Sequence, residues 1–494
     1  MTTSTSWPFV ILAISVAFVV LAITRLRMHA FIALVLASFL AGFLTTSFKP
    51  ELINRLPAVM RADATENSWV AAVELTALEF GGAAGGIAIS IGLAALIGLG
   101  LMESGAADKV VRRFLAAFGE RRAALALLMS TYILSIPIFF DTMFMLMVPL
   151  AKAMGMRMGK DYLLYVMVIC CGAILTHSLT VPHPGPLAMV DNLRVDPGQS
   201  LFWGIAAGIV PCAIGFFIAS WINRRTAVPL RETVGGSLDD LRQVSLKPEA
   251  ELPSFFLSII PVILPIALIG LASFAKILAD YPAAISLVGG PDTFASLARI
   301  ASFVGNKNIA LAIGAVLALW VLARQRKLSF AQIERLIDGP LATAAIIILI
   351  TAAGGAFGGM LRNAGVGDAI KALAESYNLN LLVLAWLTAI LLRVAQGSAT
   401  VSMITTSAII WPMIDPSANV QLPFHTMYVF LAIGFGSFGG SWMNDSGFWV
   451  VSKLGGLTEK ETFKSWSVMV TLVSVAGLIV TLVLSALMPL GSAN

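Results

Sequence analysis

The chain has 494 residues, of which 58% are hydrophobic and only 12% charged, and its mean hydropathy is +0.90. No soluble domain hides that much apolar surface, which excludes a soluble enzyme or binding module and makes a bilayer the solvent. The net charge of +5 sits in short basic loops, a mark of membrane topology rather than of nucleic-acid binding.

The first apolar runs are 7–24 and 30–47. Backbone in lipid must satisfy its own hydrogen bonds, so such runs are predicted α-helices. The alternating strands of a barrel do not dominate anywhere. The N-terminus MTTSTSWPFV lacks the basic stretch of a cleaved signal peptide, so 7–24 is expected to be a retained first span. Basic residues then cluster at Arg25 and Arg27, and at Lys109, Arg112, Arg113, Arg121 and Arg122. Further clusters are Lys152, Arg157 and Lys160; Arg224, Arg225 and Arg231; Arg324, Arg326 and Lys327; and Lys453, Lys460 and Lys464. The positive-inside rule makes all of these cytoplasmic. Both termini are then expected outside, because one span precedes Arg25 and one, 466–489, follows Lys464.

Basic loops flank 123–150, AALALLMSTYILSIPIFFDTMFMLMVPL, on both sides. Two full spans need about 40 residues, so this segment is predicted to dip into the membrane and return as a re-entrant hairpin. Pro137 and Asp141 lie near its turn. The next segment, 162–189, is an apolar run broken by HSLTVPHPGP, in which His177 and His183 sit among Pro182, Pro184 and Pro186. Those prolines cannot continue a helix. Cys170, Cys171 and Cys212 lie in apolar runs and form no disulfide or metal pattern, so they are expected to be small buried residues and no metal site is expected.

A polar stretch, 226–254, separates two halves, 1–225 and 255–494. GLGLMESGAADKVVRRF (98–114) aligns with GGMLRNAGVGDAIKAL (358–373), so that Gly105 falls on Gly365 and Asp108 on Asp368. The sequel is basic in the first half and not in the second, so equivalent loops face opposite sides. That is the condition for an inverted-topology repeat. The second half supplies its own hairpin, 381–411, with RVAQGSAT at mid-depth, and its own broken helix, 434–451, with Asn444, Asp445 and Ser446 in an apolar setting. Paired broken helices mark the substrate site of a transporter, because half-helix N-termini point at it and attract carboxylate. The fold class expected is an all-α polytopic membrane protein with two re-entrant hairpins and two discontinuous helices.

HSLTVPHPGP (177–186), RVAQGSATV (393–401), NDSGFW (444–449) with GLTEKETFKSW (456–466), and SGAADKV, GERRA, IPIFFD and VPLAKAM within 104–154 resemble the gluconate permease (GntP-type) family of the ion transporter superfamily. The resemblance runs from about residue 80 to about 490 and keeps the motifs in order. It implies a proton-driven symporter that imports a sugar acid or related small hydroxy acid across a bacterial inner membrane. It also implies a scaffold domain and a mobile, elevator-type transport domain, as in divalent-anion/sodium symporters, and a homodimer. Where the family reads a double proline, this chain has Val181-Pro182-His183, which leaves the choice of acid open. A permease for another hydroxy acid, glycerate or D-serine is the nearest alternative. An ion-translocating subunit of a larger complex would need charged residues along many helices. An intramembrane enzyme would need a metal pair or a nucleophile with its base, and no such spacing is present.

The expected substrate contacts are Gln396, Gly397, Ser398 and Thr400 from the second hairpin, and Asn444, Asp445 and Ser446 from the second broken helix. His183 and Gly185 are expected to join from the first half. Arg393 either binds the carboxylate bidentately or braces an acid such as Asp445. Asp141 and Asp445 are the expected proton carriers, with His177 and His183 as the imidazole candidates. No organic cofactor is expected, and sodium binding at the hairpin carbonyls stays open. The expected surroundings are a small anionic substrate and membrane lipid, with no nucleic acid.

Overall fold

A computed structural model of the chain describes residues 7–119, 122–226, 228–231, 251–279, 285, 290–366, 369, 380–414, 422–443 and 445–490. The described residues are helical and contain no strand. The first half runs α1 (Trp7–Thr24), α2 (Ala30–Phe43), the short α3 (Pro50–Ile53) and α4 (Ala58–Glu66), then the long α5 (Ser68–Glu103) and α6 (Ala106–Phe118). It continues with α7 (Ala123–Leu134), α8 (Phe140–Met158), α9 (Tyr162–Leu179), α10 (Pro184–Leu193) and α11 (Pro197–Arg225). The second half begins with α12 (Phe255–Leu278), α13 (Pro291–Val304), α14 (Lys307–Arg326) and α15 (Phe330–Asn363). It ends with α16 (Leu381–Gln396), α17 (Ala399–Ile414), α18 (Met427–Gly436), α19 (Ser446–Gly455), α20 (Glu459–Thr462), a π-helical turn (Phe463–Ser467) and α21 (Val468–Leu487). Seven helical segments among the described residues are long and apolar enough to cross a membrane. The protein is therefore a multi-pass membrane protein.

The helices break where the sequence forbids continuation. Pro184 and Pro186 occupy the first turn of α10, where a missing N–H costs nothing. The chain at 180–183 therefore ends α9 and starts a new helix. Gly397 ends α16 with φ +80°, a left-handed conformation that a side chain resists. The returning arm of the first helix pair, α8, extends to Met158 rather than stopping near 150. Its stop is Gly159, which takes φ +66° and satisfies the last turn through its N–H to the Gly155 carbonyl. Of the expected linker 226–254, the residues 227 and 232–250 lie outside the described residues, as do Asp368, Arg121 and Asn444.

In lipid, apolar burial does not drive helices together, so close packing at small residues must. A Cβ on Gly100 would sit 2.7 Å from Ala318 atoms, and one on Gly204 would sit 2.0 Å from the Leu179 carbonyl oxygen. The centre of the molecule is α18, buried along its whole length, with the nearly fully buried α9 beside it. A second apolar cluster joins α1 and α2 to α5 and α15.

Outside the membrane-spanning segments, Asp196 holds α11 in place. Its Oδ1 accepts from the Gly198 and Gln199 N–H groups at 2.9 and 3.1 Å and from the Ser273 hydroxyl. Its Oδ2 accepts from Lys276 Nζ at 2.6 Å. Burial pushes the carboxyl up, but the Lys276, Ser273 and Gln199 donors outweigh it and hold the group below its ordinary value. Asp196→Ala should destabilise the protein by about 1 kcal/mol, the usual worth of an N-cap, because the exposed Lys276 adds little to the pair. A lowered carboxyl contributes stability above its unfolded pKa and loses it as pH falls through the folded one. The gap in thermal midpoint between wild type and variant should therefore be full at neutral pH and close below about pH 4.

Candidate functional site

A cavity of about 180 Å³ lies where the helix breaks meet. Four helix N-termini open onto it. Phe139, Phe140 and Asp141 come from the start of α8, and Pro184 from the start of α10. Ser398, Ala399 and Thr400 come from the start of α17. Asp445, Ser446 and Gly447 come from the start of α19. Ile174 and His177 on α9, Ile347 on α15, Arg393 on α16 and Trp466 on the π-helical turn complete the wall.

One polar network braces this wall. Arg393 donates to an Asp445 carboxylate oxygen and to the Gly397 carbonyl. The side chains of both ion-pair partners are at most 5% exposed. The Ser441 hydroxyl donates to the same Asp445 oxygen, and Trp466 Nε1 donates to Ser441 at 2.7 Å. The other Asp445 oxygen caps α19 by accepting from the Gly447 N–H at 2.9 Å. The network thus ties the second hairpin's break, the second broken helix and the π-helical turn into one unit. Of the two roles foreseen for Arg393, bracing Asp445 is the one this geometry occupies, although its Nε has no partner among the described residues.

Asp141 stands differently. It is exposed on the cavity wall, and the ion pairs among the described residues do not reach it. His177 also lines the cavity, and its Nδ1 lacks a partner among the described residues. The His183 ring packs edge-on against His177, centroids 4.9 Å apart. His183 itself lies one layer back. Its Nδ1 faces the Thr180 carbonyl at 3.1 Å and its Nε2 faces the Ile138 carbonyl at 3.2 Å. The imidazole therefore links the break of the first helix pair to the break between α9 and α10.

Of the residues expected to contact substrate, the cavity gathers Arg393, Ser398, Thr400, Asp445 and Ser446. Gly397 is behind them as the cap of α16. Gly185 is buried against Met403, whose Cε would lie 2.2 Å from a Cβ placed there, so it makes room for helix crossing. The Gln396 side chain and Asn444 lie outside the described residues. Sequence reasoning passed over Phe139, Phe140, Ile174, Ile347 and Trp466, whose apolar side chains read as lipid- or core-facing. Among the described residues, no three His, Cys, Asp or Glu side chains gather as a metal-binding group.

Comparison with known proteins gives this site a family. The pattern of the GntP family permeases matches residues 67–487. A gluconate permease of Pseudomonas aeruginosa is 33% identical over 468 residues, which cover 94% of each chain. The Gnt-II system L-idonate transporter of Escherichia coli is 31% identical, covering 97% of this chain and 100% of its own. The high-affinity gluconate transporter of the same organism is 30% identical, covering 97% and 99%. All are transporters rather than enzymes. Among solved structures, Neisseria gonorrhoeae MtrF, described as illuminating a class of antimetabolite efflux pumps, superposes with a TM-score of 0.62. It is 16% identical, over 95% of this chain and 97% of its own. Alcanivorax borkumensis YdaH, a transporter, gives 0.59 at 15% identity, over 94% and 98%. These two share the fold, and the sequence relatives set the membership: the chain belongs to the GntP family of permeases.

Proposed function

We propose that this protein is a secondary transporter that carries a sugar acid such as gluconate into the bacterial cell by proton symport. The observation that carries the reading is the convergence of four helix N-termini on one cavity. Each N-terminus favours an anion by roughly 0.3–1 kcal/mol. A carboxylate bound there meets the Ser398, Thr400 and Ser446 hydroxyls, which suit the hydroxyls of a sugar acid. Arg393 and Asp445 hold the wall rigid, and Asp141 faces the bound anion as the proton carrier, with His177 beside it. Permease relatives whose names specify gluconate and L-idonate support the substrate class.

The architecture belongs to the same proposal. The two halves form an inverted repeat with re-entrant hairpins α7–α8 and α16–α17 and broken helices α9–α10 and α18–α19. In support, Gly105 and Gly365 share left-handed φ values of 77° and 78°. The long helices before them, α5 and α15, end at the matching Glu103 and Asn363. The hairpins and broken helices move as a transport domain against a dimeric scaffold, in elevator fashion, with both termini outside.

The test is uptake of labelled gluconate into liposomes holding the purified protein, under an imposed inward proton gradient. Accumulation that follows the proton gradient supports the reading. Accumulation that answers only to sodium overturns the coupling, and failure to bind any member of a panel of aldonates and hydroxy acids overturns the substrate class.

A further inference from the structure

A second cavity, about 250 Å³, adjoins the first. It is bounded by Ala94, Gly98 and Glu103 on α5, by Phe139 and Thr142 at the first hairpin break, and by Thr343 on α15. Phe139 lines both cavities, so this residue stands where they meet. Thr343 and Ile347, one in each cavity, are one turn apart on α15, about 6 Å along the axis. From Ile347 the second cavity lies toward the Phe330 end of α15, which follows the basic group Arg324, Arg326 and Lys327. At that end, Arg326 pairs with Glu103 across 2.5 Å, so the acid on the cavity wall carries its own counter-charge.

The equivalent positions in the other half are shut. The offset that carries Gly105 onto Gly365 carries Ala94 onto Gly354, Gly98 onto Gly358 and Thr142 onto Ser402. A Cβ on Gly354 would lie 2.9 Å from Ile404, and one on Gly358 only 1.9 Å from Ala408. Ser402 is fully buried and donates to the Ala389 carbonyl at 2.7 Å. In the open half, a Cβ on Gly98 would meet nothing closer than 4.0 Å. Pseudo-equivalent surfaces are thus separated by a chamber on one side and zipped together through glycines on the other.

We infer that the second cavity is the aqueous vestibule through which the anionic solute passes between the binding cavity and the side bearing Arg324, Arg326 and Lys327, with Phe139 as its inner door and the seam at 354–358 and 402 as the closed counterpart. The inference rests on the transport reading of the first cavity and adds the route. In the opposite state the seam opens and the vestibule collapses.

Cysteine reactivity tests this on the full chain in oriented vesicles, using a charged, membrane-impermeant methanethiosulfonate. The native cysteines are buried, so the unsubstituted chain sets the background. Thr142→Cys and Ser402→Cys change little volume, and Val316→Cys reports an apolar surface, 67% exposed on α14. Thr343→Cys is a second vestibule reporter on an exposed position. In resting protein the vestibule cysteines should react at least about tenfold faster than Ser402→Cys and Val316→Cys, from the basic-loop side. Ser402→Cys should quicken several-fold while gluconate is being transported. Reaction no faster than at Val316→Cys would mean the chamber holds lipid and would overturn the inference, as would equal rates at Thr142→Cys and Ser402→Cys or reaction only from the other side. The resting contrast needs no substrate, so its failure is distinct from a failure to bind sugar acids.

Discussion

Asp445→Ala should abolish sugar-acid uptake and cost about 3–5 kcal/mol of stability, the usual penalty for leaving one member of a buried ion pair without its partner. The carboxylate serves two ends of the site at once. One oxygen holds Arg393 and Ser441, and the other caps α19 at the Gly447 N–H. Its removal strands the Arg393 guanidinium among buried groups and frees the start of α19 from the break before α17. The thermal midpoint in detergent measures the first effect, and binding of labelled gluconate measures the second. Replacing both partners, as Arg393→Met with Asp445→Leu, separates them. Apolar side chains of similar volume can match or exceed a buried pair in stability, so the double variant should regain most of its thermal midpoint and still fail to bind. A double variant that binds like wild type would remove the ion pair from the site.

The parts of this fold that were legible in the sequence are those where a rule of the bilayer is broken. Prolines at 182, 184 and 186, the RVAQGSAT stretch and Asp445 are too polar or too stiff for an uninterrupted lipid-facing helix, and each falls at or beside a helix break. Helix ends set by solvent-side chemistry were less legible: α8 continues past Lys152 to Gly159 because nothing in its sequence forbids it until the glycine. The apolar wall of the cavity gave no signal at all. Phe139, Ile347 and Trp466 have the side chains that lipid and core also want, and their place depends on which helix crosses which. Trp466 reaches the cavity wall beside Phe140 and is held there by a hydrogen bond to Ser441, a residue outside its own helical turn. The vestibule is harder still, since it is defined by where two halves fail to match: Gly98 is open and Gly358 is sealed only once the helices around them have packed.

Asp141→Asn should leave gluconate binding and gluconate–gluconate exchange intact and remove proton-driven accumulation. The two acids on the cavity wall differ in what they are free to do. Asp445 is held by Arg393, Ser441 and the Gly447 N–H, so protonating it would dismantle the brace. Asp141 is exposed to the cavity and is left out of the ion pairs among the described residues. A proton can join it without breaking a contact that holds the wall, and a neutral acid beside the anion no longer opposes the bound negative charge. With one proton coupled per solute, an inward gradient of one pH unit supplies about 1.4 kcal/mol and sustains up to about a tenfold concentration ratio. The variant should fall to a ratio of about one under the same gradient, while counterflow against unlabelled gluconate proceeds. Accumulation that still reaches the wild-type ratio would release Asp141 from the role. His177, the other titratable side chain on the wall with a free ring nitrogen among the described residues, would then carry the proton. His177→Gln would remove the accumulation that Asp141→Asn had spared.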